Sequence, residues 1–500
     1  MIRRVAMSLG ATLAAMALPA AAAVNISTAP TQNMACSAGV CTPTARRATL
    51  NVGDLENLLA SSDVTVNTGA GALTIGIAAP LAWASAHRLT LDADLNVNVK
   101  AHVAVEGTGG LTIVNGSGGE FLFVPGGKVD FWDTSASLVV GGNSYVLVSD
   151  LASLAAAVAA NPAGFFALAK DYDAGPDGTY TDTAVPTELT GTFEGLGHTV
   201  ANFSVTSGVN KHVGLFLLAG ASATLRDIRL ENASLTAGVG AQAGLLASEV
   251  DGAIEAASSD GTVVTGDRSI VGGLVGFSAG SITRSFSTAS VTGHKHGIVG
   301  GLAGWGTVIS YSHASGNVVV AHSSSAGGLA GFIRDGKIVQ SYATGNITPF
   351  RKHNRVDMGG LVGLANGGVS IADCYATGSV QGGIKSNLGG LIGHSLRNSI
   401  GTSYSTGKVT VSEAARHNSR YGGFIGVSFG EELDSDYWDV DTSGFENACG
   451  QRNGAECAAV VGLSDAALKS GLPSGFDPRI WAQSASVNSG YPYLIANPPQ

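Results

Sequence analysis

Apolar residues in this chain come in short runs cut by glycine, serine and asparagine, and one arrangement of them keeps returning. Gly272-Gly273-Leu274-Val275-Gly276 comes back as GGLAG at 300–304 and 327–331, GGLVG at 359–363, GGLIG at 389–393 and GGFIG at 422–426. Two weaker copies precede these, Val213-Gly214-Leu215-Phe216 and Ala243-Gly244-Leu245-Leu246. The glycine before the large apolar residue marks each copy: Gly214, Gly244, Gly273, Gly301, Gly328, Gly360, Gly390 and Gly423. Apolar runs this short, broken by glycine, do not fit a period of 3.6 and predict strands. A repeat of about 30 residues sustained over many copies predicts a solenoid.

Each strong copy carries a second element: Ser285-Phe286-Ser287, Ser310-Tyr311-Ser312, Ser341-Tyr342-Ala343, Cys374-Tyr375-Ala376 and Ser403-Tyr404-Ser405. A β-branched run follows, such as Ser290-Val291-Thr292 or Lys408-Val409-Thr410. One unit per coil gives an all-β, right-handed parallel β-helix, the hand following from the crossover rule. The eight marker glycines then form one column, with coils about 4.8 Å apart. The glycine pairs are expected at corners that need φ > 0. The Tyr/Phe residues, Tyr311 among them, are expected to stack one ring per coil, with the Leu, Val and Ile of GGLxG filling the core.

Around this array the pattern changes. Residues 1–23 read as a secretory signal: Arg3-Arg4, an apolar stretch to Leu18, then Ala21-Ala22-Ala23 as a cleavage site. Residues 24–63 form an N-terminal segment, loosely ordered to Arg47 apart from a Cys36–Cys41 loop. A short helix at 54–59 follows, with Asp54 near its N-cap. Residues 64–148 alternate as strands and read as irregular β-helix coils. Residues 149–190 hold a helical excursion from Asp150 to about Ala160, stopped by Asn161-Pro162, and a return strand. The repeat array covers 191–433, and 434–500 closes the solenoid as a C-terminal cap.

The pentapeptides at this spacing resemble the GLUG motif of large secreted bacterial proteins, many related to filamentous haemagglutinin-type adhesins. Thr192-Phe193-Glu194-Gly195-Leu196-Gly197-His198-Thr199-Val200 is similar to the segment that leads into such arrays. The resemblance covers about half the chain. It implies a β-helix and an exported, surface or extracellular role, and says little about activity.

Composition agrees with a glycine-turned β-solenoid: 71 glycines in 500 residues, 13% charged and 6% aromatic. A formal net charge of −10 argues against nucleic acid as a specific partner. Cys36 with Cys41, and Cys449 with Cys457, are close enough in sequence to close two disulfide loops in an oxidising compartment. Cys374 takes the serine slot before the ring column and reads as a buried free thiol. No HExxH, P-loop or CxxC occurs, so neither an enzyme nor a cofactor is expected. Two acidic stretches, 171–178 and Asp434, Asp436, Asp439 and Asp441, lack EF-hand spacing and read as solvated turns rather than calcium loops.

A subtler pattern lies in the loops before each GGL element. They hold Lys211, Arg268, Lys295, Arg351, Lys352, Arg355, Lys385, Arg416 and Arg420, with several histidines. If one unit is one coil, an acidic protein would carry a basic stripe. Of these, Lys295, Arg351, Lys352, Arg355, Lys385, Arg416 and Arg420 are the candidate ligand-binding set, with sulfated glycans or another polyanion as partner. Ordinary solvated loop charge is the alternative. The sequence therefore predicts an exported adhesin-like β-helix, secreted or at the cell surface, or periplasmic without export across an outer membrane. A glycan-processing or peptidase-associated β-helix enzyme and a structural spacer are the competing readings.

Overall fold

The computed structural model describes residues 22–209, 211–350, 355–411, 418–450 and 457–499. Residues 1–21, which carry the expected signal, lie outside them. The chain divides into two compact units, one built from residues up to 103 with 109–127 and 139–142, the other from 104–108, 128–138 and 143 onward.

The first unit stacks parallel strands. Arg47–Asn51, Ala23–Ser27, Thr74–Ile77, Val97–Val99 and Phe121–Phe123 follow one another in a single sheet. Val40–Pro43, Val64–Asn67, Arg88–Ala93 and Gly110–Asn115 form a second stack. Residues 24–47 are thus ordered, not loose as the polar composition suggested. Val24 and Ile26 alternate with Asn25 and are fully buried, and that short period of two suffices for a strand when neighbours pair on both sides. Helix α1, Val52–Leu59, starts before the expected position. Its cap is Asn51, whose Oδ1 accepts from the Gly53 amide at 2.9 Å, while Asp54 lies in the first turn.

In the second unit, helix α2 spans Leu151–Ala160 with Asp150 as N-cap, as the sequence predicted. Beyond it three parallel ladders run the length of the array. The first contains short lead-in strands, from His212–Val213 through Ile270–Gly272, Ile298–Gly300, Ser325–Gly327, Asp357–Gly359 and Asn387–Gly389 to Arg420–Gly422. The second begins on the fourth residue of the motif, with strands such as Val275–Ser278, Val362–Asn366 and Ile392–Leu396. The third is a 17-stranded sheet that includes the ring-bearing strands. Together they form a β-solenoid whose core is Leu, Val, Ile and Ala.

The marker glycines do fall in one column. A Cβ on Gly301 would lie 2.1 Å from the Gly328 carbonyl oxygen, one on Gly328 2.2 Å from that of Gly360, and one on Gly360 2.1 Å from that of Gly390. The first and third glycines are confined as closely. Added Cβ atoms would sit 1.9 Å from Ala303 O at Gly300 and 2.5 Å from Val299 N at Gly331. No motif glycine has positive φ. This corrects the expectation from corner geometry: the motif glycines permit close approach of backbone to backbone, and the left-handed corners lie elsewhere, mostly on non-glycine residues.

The ring column also needs one correction. Phe286, His313, Tyr342, Tyr375 and Tyr404 pair in register, and successive rings are nearly parallel, 4.6 to 5.2 Å apart. In its coil the ring is His313, not Tyr311; Tyr311 forms the left-handed turn before it, with φ 51°, and is 37% exposed. The preceding serine sets the alignment. Ser285, Ser312, Ser341 and Ser403 stand before the ring, and each hydroxyl donates to the carbonyl two residues back at 2.8–2.9 Å. Cys374 fills the same slot; it is a fully buried free thiol, and burial pushes its pKa up.

The rings point out of the solenoid, and the inward neighbours are small (Ser287, Ala314, Ala343, Ala376, Ser405) because the marker glycine of the same coil presses against them. The C-terminal segment covers the rings. Tyr437–Asp439 and Val461–Leu463 extend the third ladder. The chain then turns back along the flank. Trp481 packs on Tyr375 and Tyr404, the Tyr404 hydroxyl donates to Pro492 O at 2.6 Å, and the Asn497 amide reaches Ser312 O at 3.2 Å. These residues form a second apolar cluster with Leu468, Phe476 and Leu494. The segment works as a strap across several coils as well as a closure.

Candidate functional site

Each lead-in strand is preceded by a tight corner. Arg268, His296, Ser323, Arg355 and Lys385 occupy these corners with φ between 57° and 62°. Left-handed backbone is unusual for such residues and is held here by the coils on either side. The Arg268 amide donates to Lys295 O at 2.7 Å, His296 to His322 O at 3.1 Å, and Arg355 to Ile384 O at 3.0 Å. The corners are therefore stacked in register, with Arg268, His296, Arg355 and Lys385 exposed along one row.

Lys295 lies one residue before this row. It is exposed, and its amide donates to the Asp267 carboxylate at 3.1 Å. Arg420 lies outside the row, in the lead-in strand opposite Asn387. Arg351, Lys352 and Arg416 fall outside the described residues. The structure thus joins Arg355 and Lys385 and adds Arg268 and His296 to them, with Lys295 alongside. Arg355 and Lys385 stand on adjacent coils, about 4.8 Å apart and inside a screening length of about 8 Å at physiological salt, so their fields add, while Ser323 separates them from His296 and Arg268. The nearby acid Asp357 is engaged by Asn387 at 2.6 Å and by His394 at 3.6 Å.

Other charged groups are internal. His198 is fully buried; its Nδ1 lies 3.3 Å from the Asp171 carboxylate and its Nε2 2.8 Å from Val129 O. The His198 hydrogen bond, with those from Lys128 and the Thr199 amide, holds Asp171 below the usual carboxylate range. Buried Glu194 takes the Arg226 guanidinium at 2.6 Å and the Leu196 amide at 2.9 Å. Both constellations have their polar atoms spent on neighbouring strands, which is a structural use. They escaped notice in the sequence because their members are dozens of residues apart.

The acidic stretches are also tied down, and two carboxylates are not the solvated turns expected. Asp436 and Asp439 are fully buried. Asp439 caps the turn at Val440–Ser443, accepting from the Asp441 and Thr442 amides. Asp436 takes the last position of the serine column, where burial pushes its pKa up to about 8. Asp177 accepts from the Tyr172 and Tyr180 hydroxyls. Among the described residues no group of three or more His, Cys, Asp or Glu could hold a metal ion. Cys36–Cys41 and Cys449–Cys457 are both disulfides, the first across the hairpin of Met34–Ser37 and Val40–Pro43. No described helix is long and apolar enough to cross a membrane.

No family model matches the chain. Over 244 residues, 45% of its length, it is 30% identical to halomucin of Haloquadratum walsbyi, and that stretch is 2% of halomucin. Among solved structures it is similar to an IgA1 protease, at 16% identity and a TM-score of 0.34, over 57% of this chain and 20% of the other. The chain thus spans a small part of both proteins.

Proposed function

We propose that this protein is an exported, non-enzymatic, adhesin-like β-helix of the GLUG-motif kind, which contacts anionic glycans through its stacked basic corner. The observation that carries this reading is the row of Arg268, His296, Arg355 and Lys385, exposed and in register on a chain of net charge −10. Two disulfides fit an oxidising compartment, and local similarity to a protein named as a mucin fits an extracellular setting. The corner side chains lie outside the core, so changing them leaves the solenoid intact.

The test is retention on heparin at low salt and pH 6. Wild-type protein is expected to elute well after the Arg268→Gln/Arg355→Gln/Lys385→Gln variant, with retention lost as salt rises. Equal elution of the two would reduce the row to ordinary surface charge.

A further inference from the structure

Beside the corner runs a second outward row. Phe277, Trp305 and Phe332 pair in register in successive coils, partly exposed, with ring centroids 5.4 and 4.5 Å apart. The row faces the outward residues of the lead-in strands, Ile270, Ile298 and Ser325, which pair in register as well. Between the rows the third motif glycine lies against lead-in backbone: an added Cβ on Gly304 would be 2.6 Å from Val271 N and 2.9 Å from Ile270 Cγ2. The chain therefore folds sharply here. Side chains of the two rows meet at both ends of the array, His212 with Glu249 at 3.8 Å and His394 with Asp357 at 3.6 Å. The two rows run side by side along the coil stack, and the corner bordering them carries Arg268 and His296 two residues upstream of Ile270 and Ile298, and Ser323 upstream of Ser325.

We propose that the strip between these rows is a trough, with the basic corner as its rim, and that it holds the sugar rings of the anionic chain whose charged groups the rim attracts. The inference rests on the corner reading and adds the substrate class: a polysaccharide lying along the coils, its C–H faces on Phe277, Trp305 and Phe332. A lipid or apolar peptide would satisfy the aromatic wall but leave the cationic rim unused. A polyphosphate would use the rim and not the rings. A sulfated or uronic polysaccharide presents apolar ring faces and peripheral anions together, matching a largely apolar site bordered by a few placed polar groups.

The test uses the full chain, a heparin decasaccharide and its desulfated, N-acetylated counterpart. Two trough variants are compared with the corner triple variant: Trp305→Ala/Phe332→Ala, which removes rings, and Ser325→Trp, which fills the trough and takes no packing away. Both trough variants are expected to bind either decasaccharide at least about tenfold more weakly, a loss of about 1.4 kcal/mol. The corner variant should lose affinity mainly for the sulfated chain and less for its counterpart, which keeps only the uronate carboxylates. Wild-type affinity in both trough variants, with the corner variant still impaired, overturns the trough and leaves the corner standing. Loss of sulfated-chain binding in the trough variants alone, with the corner variant unaffected, overturns the corner. Tighter binding of a second copy or of an apolar peptide than of either sugar overturns the polysaccharide assignment.

Discussion

Gly331 lies where an added Cβ would be 2.5 Å from Val299 N and 2.8 Å from Val299 O, and neither backbone atom can withdraw without disturbing its coil. Gly331→Ala is therefore expected to destabilise the array by about 1–3 kcal/mol through overpacking, read as a lower denaturant midpoint with the m-value unchanged. His313 gives a pH signature. It is sandwiched between Phe286 and Tyr342 with Asn497 Oδ1 3.0 Å from its Nδ1, and burial pushes its pKa down to about 4. Between pH 6.5 and 4 the unfolded chain binds this proton and the folded chain does not, so stability falls as pH falls through that window. The expected loss is on the order of 3 kcal/mol from this group. His313→Tyr, which restores the ring of the neighbouring coils, should flatten the melting temperature over that range, and equal slopes in the two proteins would show His313 uninvolved. At this scale the glycine positions were legible in the sequence and their cause was not. Repetition reports that a backbone need recurs; whether the need is positive φ or close approach depends on which strand lies opposite.

The ladders themselves were readable because each repeats one need per coil. The ring column misaligned at Tyr311 because Ser310-Tyr311 and Ser312-His313 both offer a serine before a ring, and the cue was the next serine, Ser312, whose hydroxyl bonds two residues back. The strap was invisible as a strap, since nothing in 464–499 repeats and its partners are up to 185 residues away. Trp481 is its anchor, 1% exposed, with its indole donating to the Asp373 carboxylate at 3.0 Å. Trp481→Ala is expected to cost about 3–5 kcal/mol. Because coils in a solenoid couple mainly to their neighbours, the loss should appear as local exposure. Hydrogen exchange should rise along 464–499 and over Tyr342, Tyr375 and Tyr404, while the coils from Ile254 to Val275 keep their protection. Uniform loss of protection would mean that the strap and the array unfold as one unit.

On the scale of the whole chain, thiol chemistry and charge are the accessible readouts. Four cysteines are bridged and Cys374 is buried, so unreduced native protein is expected to resist alkylation and unreduced unfolded protein to take one label. Five labels would refute both bridges. The corner row was half legible: basic residues recur at one phase, but apart from Gly240 the residues there give no sign of their left-handed backbone. Register sorts the predicted set, bringing Arg355 and Lys385 together and leaving Arg420 a row away.

The claim that one corner stands above the next is tested most directly by disulfide trapping. Arg355→Cys/Lys385→Cys places two thiols one coil apart, within the usual Cα separation of about 4.4–6.8 Å for a bridge. Arg268→Cys/Arg355→Cys places them several coils apart. Mild oxidation is expected to close the first pair within one chain and leave the second pair reduced. Bridging of the distant pair, or failure of the adjacent one, would contradict the stacked corner and with it the basic rim.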